Sequence, residues 1–262
     1  MSSVRNMGSA VRGIWTRGCR VERVCYVLGG VLVGAGVFHL GVFAVDGGPW
    51  YGPVSWRKPA TFGLSFGLTL ITVTGVASHL PLSDRLRAVL LGSFAADCFV
   101  EVGGITLQAW RHVPSHVNRE TPFDSTVSTV LAAGGGLLIV ILGALAVSAF
   151  RSNPAAAASM RLALRAGFLT LMIGLATGAA MIARGVVEVN AGDQQEAYDV
   201  VGFLKPVHAV SLHGVLVLPA LAWLLSFIPG DENLRTRIVA IATACYGLAI
   251  AAALAYSLWC SS

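Results

Sequence analysis

Long apolar runs alternate with short polar connectors along this chain. The runs cover 24–45, 60–80, 86–110, 126–150, 162–186, 207–228 and 238–259. Each is close to the roughly 20 residues that an α-helix needs to cross a hydrocarbon core about 30 Å thick. The pattern predicts an all-α polytopic membrane bundle of seven transmembrane helices over 24–262, preceded by a basic arm at 1–23. The longest connector, 187–206, is expected to carry a short surface helix.

Composition removes the soluble alternative. Hydrophobic residues make up 55% of the 262 residues and mean hydropathy is +0.73. Charged residues are 12%, against about 25% in a soluble domain. The five cysteines show neither CxxC nor a Cys/His zinc spacing, so no disulfide framework is expected. The first run follows basic residues and is long enough to span, which suits an uncleaved signal anchor.

Charge placement predicts orientation. One set of connectors holds twelve basic residues: Arg5, Arg12, Arg17, Arg20, Arg23, Arg85, Arg87, Arg151, Arg161, Arg165, Arg235 and Arg237. The other set holds six: Arg57, Lys58, Arg111, Arg119, Arg184 and Lys205. The bias predicts an N-terminus inside and a C-terminus outside, in a bacterial inner or plasma membrane. The arm from Arg5 to Arg23 is expected to bind anionic inner-leaflet lipid, with no role for nucleic acid. Seven spans suggest a retinal protein, but span seven has no lysine to form a Schiff base.

Small residues are frequent. Gly63/Gly67 and Gly174/Gly178 form GxxxG pairs, and Gly134, Gly135 and Gly136 run together. Such residues let helix backbones approach in lipid. Tight packing within one monomer is the expectation; contact between copies through these faces is the alternative. No internal repeat and no pair of Gly/Pro-interrupted spans is evident, which argues against an inverted-repeat transporter.

Ionisable residues within a membrane span are costly and therefore candidates for function. Span three holds Asp97 and Glu101, and at about 100° per residue Gln108 and Arg111 share their face. His39 in span one, Glu101 and His213 in span six fall at similar depth. Glu101, His39 and His213 are the candidate catalytic acid–base groups. Arg57, Lys58, Gln108, Arg111 and Asn118 are the candidate substrate-binding residues. Asp97 and Glu101 are the alternative proton path. No metal or cofactor is assigned; His39, His213 and His116 are the candidate ligands were a metal present. In LQAWRHVPSHVNRETPFD, residues 107–124, Trp110 suits the membrane interface and Pro114 and Pro122 stop the flanking helices. Thr121 or Asp124 is expected to cap span four.

Two elements, SWRKPATFGLSFG and LQAWRHVPSHVNRETPFD, together resemble a group of uncharacterised bacterial multi-pass membrane proteins over most of the chain. The resemblance implies a multi-pass architecture and draws attention to these residues; it implies no activity. The residues themselves lead to an outward-facing polar site within the bundle. A membrane-embedded enzyme acting on a small anionic or lipidic substrate is the first functional expectation. A proton-coupled carrier using Asp97 and Glu101 is the second, and a sensor or structural partner of another membrane protein the third.

Overall fold

A computed structural model describes residues 18–151 and 153–260. Most of the basic arm, including Arg5, Arg12 and Arg17, lies outside the described residues. Helices α1 (Arg20–Asp46), α2 (Arg57–Ala77), α3 (Asp84–Trp110), α4 (Pro122–Phe150) and α5 (Ala158–Ala191) come first. A short α6 (Gln194–Val200) follows. Helices α7 (Lys205–Leu212) and α8 (Gly214–Leu225) share one span, and α9 (Glu232–Trp259) closes the described chain. Among the described residues seven spans are long and apolar enough to cross a membrane, so this is a multi-pass membrane protein by length and composition.

Local chemistry sets most boundaries. Ser83 caps α3 by accepting the Leu86 N–H at 3.3 Å, and Asp231 caps α9 by accepting that of Leu234 at 2.6 Å. Thr121 caps α4, with Pro122 in its first turn. Helix α5 runs beyond the expected 186 because nothing stops it before Gly192, whose left-handed φ of 91° terminates it. The expected surface helix in the 187–206 connector is α6.

Short connectors force successive spans to run antiparallel. The connectors 47–56, 111–121 and 192–204 therefore gather at one end of the bundle. Helices α1 and α2 form the closest pair, with α3 packed on both and α4 on α3. Helix α5 then joins α4 to α7, α8 and α9. Leu70, Leu91, Phe94, Leu145, Phe168 and Leu218 fill the centre. Helix α9 is peripheral: Val239, Ile250 and Ser257 are its buried residues.

Glycines bring the backbones together inside this chain. A Cβ on Gly63 would lie 2.7 Å from the Gly36 nitrogen, and one on Gly67 2.7 Å from the Gly29 oxygen. Gly174 and Gly178 admit Leu212 and His208 of α7. Both GxxxG pairs are thus occupied by neighbouring helices, whereas Gly135 and Gly136 face open space.

Span six is interrupted at His213. The His213 N–H reaches Val210 O at 3.3 Å, a tighter turn than an α-helix makes. Tyr246 Oη–H also donates to Val210 O at 2.6 Å, and His213 Nδ1 bonds Ala209 O at 2.5 Å. These side chains occupy carbonyls that lipid would leave bare. The apolar run continues through this break; Gly214 directly follows it and Pro219 lies inside α8.

Candidate functional site

The centre of α3 carries the first part of the site. Asp97 stands 13 residues from either end of this 27-residue helix, which places it at mid-bundle. Glu101 follows one turn later, about 14 Å from the Trp110 end at 1.5 Å per residue. Both are buried, at 5% and 3% exposure. Gly134 of α4 makes the space for them. A Cβ there would lie 2.5 Å from Glu101 Oε1 and 3.0 Å from Asp97 Oδ1. Asp97 Oδ2 and Glu101 Oε1 have no hydrogen-bond partner among the described residues.

Farther along α3 is a small cavity of about 10 Å³, room for about one water. The stretch Pro53–Ser55 forms one wall, and Val113 and Ser115 form the other. Ile105 and Ala109 of α3 and Lys58 of α2 complete it. Ile105 is one turn from Glu101 on α3, and neither carboxylate lines the cavity. Lys58 lies within electrostatic range of Glu101, Arg57 and Lys205. Among the described residues, none of Arg57, Lys58 and Lys205 forms an ion pair with an acid. Arg57 is nevertheless tethered, its Nε donating to Trp50 O at 2.8 Å.

The other predicted residues of the 107–124 stretch are committed elsewhere. Asp124 is buried at the start of α4 and accepts from Gln108 Nε2 at 2.9 Å and from Thr121 Oγ1 at 2.5 Å. Arg111 pairs with the same carboxylate and also donates to Gln108 Oε1. Its guanidinium lies over the Phe123 ring, 4.7 Å from the centroid. Gln108, Arg111 and Asp124 therefore clamp the α3–α4 turn. Asn118 Nδ2 donates to Pro114 O at 3.0 Å, and its backbone N–H donates to Ser128 Oγ at 2.9 Å. Ser128 in turn donates to Ser115 O at 3.2 Å. Val117 between them holds a φ of 53°, unusual for a β-branched residue, and Gln194 Nε2 bonds its carbonyl at 2.8 Å.

The histidines occupy separate settings. His39 is buried, stacked on Trp56, with Nδ1 bonded to Ala35 O at 2.8 Å. Trp110 Nε1–H donates to its Nε2 at 3.2 Å, so both ring nitrogens are engaged. His213 bonds its own helix at the break in span six. His116 packs beside Phe62, 6.0 Å between ring centroids. Burial holds its imidazole well below the usual histidine range, and the Lys58 charge adds to that effect. Among the described residues no three His, Cys, Asp or Glu side chains are grouped as metal ligands. His39, Glu101 and His213 thus do not form one ligand set.

The arrangement also includes residues that the linear pattern did not single out as a site. Lys205 joins Arg57 and Lys58, and Gln194 and Tyr198 of α6 seat the 115–120 loop, with Tyr198 Oη–H donating to Glu120 at 3.1 Å. A signal for Lys205 was present: Lys58–Pro59 and Lys205–Pro206 both begin spans at the same end of the bundle. No family model, curated protein or solved structure matches this chain.

Proposed function

We propose that this protein is the proton-handling body of a membrane carrier, with Asp97 and Glu101 as its proton-binding pair. One observation carries the reading: two adjacent carboxyl groups are buried at mid-bundle, each with an oxygen that has no hydrogen-bond partner among the described residues. Holding two bare negative charges there is costly, and a proton is the simplest ligand that removes the cost. Gly134 leaves the pair uncovered by any side chain of its own, so small movements of α4 change their surroundings.

The test is proton movement in liposomes containing the purified protein, read with an internal pH-sensitive dye under an imposed pH gradient. Glu101→Gln is expected to lower the protein-dependent rate at least tenfold, and Asp97→Asn to lower it comparably. Wild-type rates in Glu101→Gln protein that is inserted and folded would remove the assignment.

A second reading, a membrane enzyme working on an anionic or lipidic substrate at the same end, is favoured by Arg57, Lys58 and Lys205, which form no ion pair with an acid among the described residues. It is weakened by the commitment of Gln108, Arg111 and Asn118 to local structure. Contact between copies through Gly135 and Gly136 remains a separate proposal, as does orientation with the N-terminus inside.

A further inference from the structure

We infer that His39 and Trp110 form an acid-sensitive latch that ties α1 to α3 at the connector end of the bundle. The latch stands whether or not the protein carries protons.

The partners fix the state of the ring. His39 Nδ1 lies 2.8 Å from Ala35 O, and Trp110 Nε1 lies 3.2 Å from His39 Nε2. A carbonyl oxygen only accepts and an indole N–H only donates. The imidazole proton therefore sits on Nδ1, and Nε2 offers its lone pair to Trp110. A second proton on the ring would occupy that lone pair. The imidazolium donates from both nitrogens, so two N–H groups would then face each other across 3.2 Å. Proton and indole compete for one lone pair, and falling pH favours the open latch.

The surroundings serve both states. His39 is 3% exposed, whereas Trp110, the last residue of α3, is 51% exposed. The indole covers Nε2 and can turn away without displacing a packed core. The Trp56 ring then remains, its centroid 6.2 Å from that of the imidazole and its plane 25° off parallel, and an aromatic face attracts a cation. Charged and titratable groups adjoin the ring on each side. On α1, Asp46 accepts from Trp56 Nε1 at 2.5 Å. On α2, Arg57 and Lys58 directly follow Trp56. Beyond α3, Arg111 is paired with Asp124, and the His112 ring meets that of Trp56 at 5.7 Å.

The latch bears on the helix that carries Asp97 and Glu101. The end of α3 is held to α4 by the Gln108–Arg111–Asp124 clamp and to α1 by the Trp110–His39 bond. The acceptor in the clamp is a carboxylate, a group that ordinarily takes its proton near about pH 4. Mild acid thus releases the bond to α1 and leaves the clamp to α4.

The experiment is a pH titration of the full-length protein in detergent, labelled with nitrogen-15 tryptophan and followed by NMR from pH 8 to 5. The Trp110 indole N–H resonance is identified by its loss in Trp110→Phe. It is expected to move upfield as the pH falls, as an indole that loses its acceptor does. His39→Gln keeps an acceptor that does not titrate and should abolish the movement, whereas His112→Gln should leave it; thermal unfolding verifies that each variant is folded. The wild-type titration decides without any variant: a Trp110 resonance that stays fixed across this range overturns the inference. So does the same movement in folded His39→Gln, or its disappearance in folded His112→Gln.

Discussion

His116 shows how much a residue's role here depends on what is packed around it. In the sequence it is one of three histidines that are candidate ligands were a metal present. In the structure His112 has a φ of 53° and meets Trp56, whereas His116 turns toward Phe62. Burial and the Lys58 charge hold His116 neutral well below the usual pKa of about 6.5. The unfolded chain binds a proton below about pH 6.5 that the folded chain does not, so stability falls as pH drops from there toward the depressed folded value. The melting temperature of purified protein should decline between pH 7 and 5, and His116→Asn should flatten that decline. An equal slope in the variant would show that His116 is not its source. Gln108, Arg111 and Asn118 teach the same lesson. Their polarity marked the stretch as important, but their partners Asp124, Ser128 and Pro114 make it a folded clamp. Residue type could not reveal that, because the same side chains serve a ligand or a turn equally well.

At the scale of elements, glycine decides how closely helices meet. Gly63 and Gly67 of α2 face Gly36 and Gly29 of α1 so tightly that a Cβ would strike backbone rather than a movable side chain. Gly63→Ala should cost about 1–3 kcal/mol by overpacking, visible as a lower melting temperature in detergent. Gly30→Ala and Gly34→Ala, where a Cβ meets nothing within 4 Å, should stay within about 0.5 kcal/mol of wild type. A harmless Gly63→Ala would mean that α1 and α2 pack less closely than described. Helix existence and type were legible in the apolar runs. The interruption at His213 was not, because it depends on Tyr246 and His213 taking the freed carbonyls, and Tyr246 is brought there by a different helix. Likewise α6 was legible as a short helix, but its docking through Gln194 and Tyr198 was not.

For the whole molecule, the charge bias and the seven spans predict that α9 ends outside. Cys260, exposed just beyond α9, offers a direct check. In protein whose other four cysteines are replaced by serine, a membrane-impermeant maleimide should label Cys260 in intact cells. Labelling that requires permeabilisation would invert the topology. Membrane class, span number and approximate boundaries follow from sequence alone, because spanning a hydrocarbon core demands a run of apolar residues of set length and hydrogen-bonded backbone. The face shared by Asp97 and Glu101 follows too, from helical periodicity. Tertiary structure alone decided that Gly134 opposes that pair, that both carboxylates are left with oxygens unpartnered among the described residues, and that Lys205 joins Arg57 and Lys58. It also decided that Arg111 and Gln108 turn to Asp124 instead of to the site. The physical reason is common to all four. Hydrocarbon constrains each span separately through its own composition, whereas which helix lies beside which depends on packing between residues far apart in the chain, and in lipid that packing is set by close shape fit and not by apolarity.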